Sequence, residues 1–252
     1  MGKTVASLLK QNLKPDSIEL YIPRNYRRFP DHVFGLPDIP DGVTVEVIND
    51  DLGPATKLLP CVKKYRGSDV RIVYCDDDRI YWKSWLRNIV AIGDERPGEC
   101  IAYCGYDVPS QNNKPNAFRR RGTGVQNLHK NLPFWIARDL VRLVCWLKGE
   151  EDQPKCSMRG PFCGYVDIVE GCNGVLVSSE MFDCKVFDIP PILWAVDDVW
   201  ISGHLERRCI KRWSLSLFIL HRNVHEHSHA LLNVAIDGVN RHDANQLCFD
   251  HL

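Results

Sequence analysis

Val70-Arg-Ile-Val-Tyr-Cys-Asp76-Asp77-Asp78 carries an apolar run straight into three consecutive carboxylates. The run has strand composition, and alternation along a strand sends Asp76 and Asp78 to one side and Asp77 to the other. Two like charges held on one side repel each other. The usual physical remedy is a hard divalent cation with oxygen ligands, which can also hold a diphosphate. The alternative on these residues alone is a solvated acidic turn.

Working outward, helix and strand signals alternate. Val5, Leu8, Leu9 and Leu13 share one helical face, and the pattern stops at Lys14-Pro15-Asp16. Ile18, Leu20 and Ile22 alternate with Glu19 and Tyr21 as a strand that stops at Pro23. A proline-rich connector from Arg24 to Gly42 leads to a second strand, Val43 to Ile48. Asp51 then stands near a helix start, with Pro54 in its first turn. Beyond the acidic strand, Trp82, Trp85, Leu86, Ile89 and Val90 have helical spacing, and Glu99 to Tyr106 reads as a strand. This alternation predicts an α/β fold with a mostly parallel sheet flanked by helices. Ligands of such sheets bind beyond the carboxyl ends of the strands, where Asp76 to Asp78 would lie. Pro109 to Lys130 reads as a polar surface loop, with its arginine run on a solvated face. Leu140, Val141, Val144, Cys145 and Leu147 mark a core-facing helix.

Length and composition narrow the class. A chain of 252 residues suits one large domain, or a core with a small appendage. Lys plus Arg equals Asp plus Glu at 32 each, so no overall field favours nucleic acid or an anionic membrane. Eleven cysteines without a CxxC pair point to free thiols in a reducing, cytoplasmic compartment. No apolar run is long enough to span a bilayer, and the N-terminus lacks a signal-peptide pattern.

A second acidic site lies downstream. Tyr165 to Val177 looks like two short strands around a glycine turn containing Gly171 and Gly174, where backbone can approach a ligand closely. Val196-Asp197-Asp198-Val-Trp-Ile-Ser-Gly-His-Leu-Glu-Arg-Arg208 opens a helix with acids and closes it with arginines, which suits the helix dipole. One aspartate suffices to cap. The second is available to accept a proton from a substrate hydroxyl.

The ordered series Ser7-Leu-Leu-Lys-Gln11, Lys14-Pro15, Asp51-Leu-Gly-Pro-Ala-Thr-Lys57-Leu, Asp76-Asp77-Asp78, Glu170-Gly171 with Gly174, and Asp197-Asp198-Val-Trp-Ile-Ser-Gly-His-Leu205 resembles a family of GT-A-fold glycosyltransferases. The family occurs in bacteria and in large viruses of algae, where it modifies capsid glycans. The resemblance runs from about residue 4 to 212 and implies a single GT-A-like domain over 1–212, with 213–252 completing or flanking it. It implies that Asp78 binds Mn2+ or Mg2+, and that Asp76 touches the same metal or the donor ribose, within an Asp76 to Asp78 element at the donor site. Asp51 and Lys57 would lie by the donor nucleotide, with Lys57 facing its diphosphate, and Gly171 and Gly174 would border the sugar pocket. Asp198, or its competitor Asp197, would be the general base. The implied partners are a nucleotide-diphosphate sugar donor and a glycan or glycoprotein acceptor, in the host cytoplasm if the protein is viral. The family opens with a buried strand that contacts the nucleobase, whereas this chain opens at the first helix, so a lacking first strand is expected.

Two rival readings accompany this one. His225-Glu226-His227-Ser228-His229 matches HExxH, in which His225 and His229 on one helical face would bind zinc with Glu226 as base. A GT-A-like scaffold without catalysis is the other.

Overall fold

The computed structural model describes residues 1–31, 35, 37–108, 140, 155–157, 163–215, 219–221 and 238–251. The loop expected over 109–130, the helix expected from Leu140 to Leu147 apart from Leu140 itself, and the His225 to His229 motif lie outside the described residues.

In chain order the elements are α1 (Gly2–Leu9), β1 (Glu19–Pro23), β2 (Thr44–Ile48), a 3-10 turn (Gly53–Lys57), α2 (Leu59–Lys64), β3 (Arg71–Tyr74), α3 (Trp85–Glu95), β4 (Cys100–Ala102) and β5 (Gly105–Tyr106). They continue as β6 (Lys155–Ser157), β7 (Gly164–Tyr165), β8 (Ile168–Val169), β9 (Val175–Ser178), α4 (Asp197–Arg207), β10 (Arg212–Ser214), β11 (Ile219–His221) and α5 (Arg241–His251). The strand and helix signals read from the sequence up to Tyr106 fall on these elements. The first helix is shorter than expected, since it closes at Leu9.

The protein is α/β, but its sheets are mixed rather than mostly parallel. The largest has the order β3-β9-β4-β10-β7, in which β4 and β10 run parallel while β3–β9, β9–β4 and β10–β7 are antiparallel. β1 and β2 form a separate parallel pair. β8 and β9 run in one direction beside residues 101–106, antiparallel to them and broken only by the three-residue 3-10 excursion Gly171–Asn173, with no helical crossover, so β9 lies between β3 and β4 against both. Its continuous apolar run reports burial on both faces and carries no information about direction.

β9 also divides the interior. Val175 and Val177 join Leu58, Leu59, Val62, Ile72, Val199 and Trp200 in one core cluster, while Leu176 joins Trp85, Ile89, Ile101 and Tyr103 in the other. Each such side chain contributes about 1.5–3 kcal/mol on burial. Ala244 and Cys248 of α5 belong to the first cluster, and β10 crosses the position where the sequence reading divides the chain at 212.

Gly174 fixes the entry to β9. Its φ is 106°, and a Cβ there would overlap the Trp85 indole, at 2.9 Å from Cε2. Gly174→Ala should therefore cost about 2 kcal/mol through backbone strain and overpacking, measurable as a lower urea midpoint with an unchanged slope.

α1 secures the acidic loop. Thr4 Oγ1 donates to the Asp77 carbonyl at 2.7 Å, and Ser7 Oγ accepts from Tyr81 N at 3.0 Å. The buried Gln11 amide donates to the Trp82 carbonyl at 2.9 Å and accepts from Leu86 N at 2.9 Å. These bonds satisfy loop backbone that would otherwise be left without partners on burial. Among the described residues no helix is long and apolar enough to cross a membrane, and all nine cysteines with described side chains are free thiols.

Candidate functional site

Three segments distant in sequence converge on one ammonium. Lys57 closes the 3-10 turn that Pro54 helps to start, Asp76 follows the end of β3, and Asp197 opens α4. Lys57 Nζ lies 2.6 Å from Asp76 Oδ1 and 2.9 Å from Asp197 Oδ2, with side-chain exposures of 17%, 32% and 2% respectively. Burial alone would lower the Lys57 pKa. The charges of Asp197, Asp76 and Asp198 more than offset it and hold the pKa well above the ordinary lysine value.

Asp198 hangs beside this group on the Gly171 turn. Gly171 N donates to Asp198 Oδ1 at 2.9 Å, and the second carboxylate oxygen takes no hydrogen bond from a described residue. Gly171 is required for space, because a Cβ would meet Lys57 Nζ at 2.5 Å and Tyr74 Cε2 at 3.0 Å. Burial, then the negative charge of Asp197, push the Asp198 carboxyl up to about 7, although Lys57 and the Gly171 N–H pull the other way. A lone lysine cannot neutralise three carboxylates, and Asp198 is the one whose affinity for a proton rises.

Neither aspartate at the start of α4 caps it. The N-cap is Val196, without a side-chain hydrogen bond, and both carboxylates are used elsewhere. Ser202 Oγ accepting from Val169 N at 3.0 Å, and Trp200 Nε1 donating to the Val186 carbonyl at 2.8 Å, fix the helix in place.

The three carboxylates lie beyond the end of β3, with Asp77 and Asp78 in a turn rather than on a strand, and Asp77 is exposed whereas Asp76 and Asp78 are half-buried. Asp78 Oδ1 is buried without a hydrogen-bond partner, and its nearest cation is Arg79 Nε at 3.8 Å. Burial first, and then the charge of Asp76, raise the Asp78 pKa. Hard oxygen donors with surplus negative charge fit Mn2+ or Mg2+. Among the described residues no group of three potential ligands is gathered. A two-carboxylate site leaves the remaining positions to water and phosphate oxygens, as is common for Mg2+.

Two other expected residues have different surroundings. Asp51 accepts from Gly53 N at 2.8 Å and Arg27 N at 2.7 Å, so its carboxylate holds the chain turn ahead of Lys57. Gly174 faces the Trp85 ring in the core.

Tyr74, Arg79 and Tyr81 also belong to the site, and the sequence reading passed over them. The Tyr74 ring centroid is 5.9 Å from Lys57 Nζ, and its buried hydroxyl has no hydrogen-bond partner. Its place at the last position of β3, two residues before Asp76, was the available signal. Tyr81 OH lies 3.0 Å from the Asp76 carbonyl and 3.3 Å from that of Cys172, joining the acidic loop to the glycine turn. No protein-family model matches the chain, and no curated protein matches it either.

Proposed function

We propose that the protein transfers a sugar from a nucleotide-diphosphate donor to a hydroxyl of a glycan or glycoprotein, on a GT-A-like scaffold, with Asp198 as general base. The observation that carries this reading is the convergence of the Asp76 to Asp78 loop and the Asp197-Asp198 helix start on Lys57, with Asp198 left able to take a proton near neutrality. A base poised close to the working pH combines a useful fraction of the ionised form with a useful driving force.

Asp78, with Asp76, would hold Mn2+ or Mg2+. When bound, the ion supplies Lewis-acid stabilisation of charge on the diphosphate leaving group. Lys57 keeps Asp76 and Asp197 in place and neutralises Asp197, which leaves Asp198 as the proton acceptor. Gly171 N orients the Asp198 carboxylate through Oδ1. The other oxygen accepts the acceptor hydroxyl's proton as that oxygen attacks the anomeric carbon. One base and direct displacement predict inversion of configuration.

The experiment is a thermal-shift and calorimetric titration with uridine and guanosine diphosphate in the presence of manganese. Stabilisation by at least one of them, lost in Asp78→Ala, is the expected result; at a ligand excess of one hundred times Kd it amounts to about 2.7 kcal/mol. Absence of any nucleotide response would leave the non-catalytic scaffold. Zinc bound in the wild type and lost in His225→Ala, again without a nucleotide response, would favour the peptidase.

A further inference from the structure

Lys57, the residue expected to face the diphosphate, is already committed: its ammonium holds Asp76 at 2.6 Å and Asp197 at 2.9 Å. Moving it onto a ligand would uncover a carboxylate that is only 2% exposed. The adjoining cation is in the opposite condition. Arg79 has a side chain 19% exposed, its Nε is buried without a hydrogen-bond partner, and the nearest carboxylate, Asp78 Oδ1, stands at 3.8 Å, beyond hydrogen-bond reach. Asp78 Oδ1 is itself without a hydrogen bond. A guanidinium Nε buried without a hydrogen bond is costly, and such groups call for a ligand or a functional explanation.

We infer that Arg79, rather than Lys57, is the residue that grips the diphosphate of the donor. This assignment rests on the transferase reading. A carboxylate oxygen and a guanidinium Nε side by side, both buried and neither hydrogen-bonded, are complementary to a divalent cation paired with a diphosphate: Asp78 takes the cation and Arg79 takes phosphate oxygens. The planar fork of arginine matches phosphate geometry in a way that a lysine ammonium does not. The position is suitable as well, since the charge of Arg79 is felt at Asp78, at the Tyr81 hydroxyl and at the Cys172 thiol, between the acidic loop and the glycine turn. Lys57 then acts as a positioning residue that keeps Asp76 and Asp197 in register.

Calorimetry with inorganic pyrophosphate and Mg2+ on the full chain tests the assignment, with Mg2+ alone as control. Arg79→Met should weaken pyrophosphate binding by about 10- to 100-fold, as expected for a lost charge-assisted contact, without weakening Mg2+ alone. Arg79→Lys, which keeps the charge and loses the fork, should fall between. Circular dichroism and a melting curve establish that each variant is folded, and the lysine variant carries the comparison if the methionine variant is not. Unchanged pyrophosphate affinity in the folded variants, even with a lowered Tm, would overturn the assignment and make Arg79 a structural partner of Asp78. If the wild type binds neither pyrophosphate nor any nucleoside diphosphate, the transferase reading itself fails and takes this inference with it.

Discussion

Asp198→Asn should reduce sugar transfer by about 10²- to 10⁴-fold while leaving donor affinity nearly unchanged, the usual size of a lost general base. Asparagine keeps an oxygen to accept from Gly171 N, so the turn retains its hydrogen bond. In the wild type, kcat/KM should rise with pH through a single ionisation near 7 and then level off, and that limb should vanish in the variant. Stability gives an independent readout. The folded-state pKa of about 7 lies above the ordinary 3.8, so between these values the native state holds a proton that the unfolded chain has released. The wild type therefore loses stability as pH rises across that window, with a slope of at most about 1.4 kcal/mol per pH unit, and the contribution is gone above 7. Asparagine does not titrate. Urea denaturation at pH 4.5, 6 and 8 should show the variant gaining on the wild type as pH rises, and a constant difference would count against the assigned environment of Asp198.

Lys57→Met has the largest expected effect on folding. It removes the cation from Asp197, which is almost fully buried, and from Asp76, and should cost about 3 kcal/mol at pH 8. The double variant Lys57→Met with Asp197→Asn removes the stranded charge and should recover part of the loss at pH 8, a coupling that a double-mutant cycle measures directly. If the single variant is as stable as the wild type at pH 8, the buried ion pair is not what joins these segments.

Local pattern carried the reading a long way. The Val70 to Asp78 run revealed a strand, because a two-residue period is a property of the backbone and needs no partner, but the strand closes at Tyr74 and the carboxylates stand in the loop beyond it. Asp197 and Asp198 stood out as one acid more than a helix start requires, although in the structure neither of them caps the helix. Which of them titrates near neutrality was not legible, since that depends on Lys57 reaching one and the Gly171 amide the other. The surroundings of Asp51 were not legible for a related reason: carboxylates that bind ligands and carboxylates that tie turns share a sequence appearance, and its two backbone donors come into view only in the structure. Strand direction was hidden as well, since Val175 to Val177 would read the same from either end. Arg79 was missed because charge next to a motif has no meaning until the hydrogen bonds around it are known.

The three polar side chains of the amino-terminal segment that grasp the backbone of residues 77 to 86 have a practical corollary. Loss or disturbance of residues 4 to 11 would release the very loop whose chemistry an assay is meant to report. Weak turnover from such a preparation would measure a slackened tether, so comparisons of variants belong on protein whose first eleven residues are left as they are.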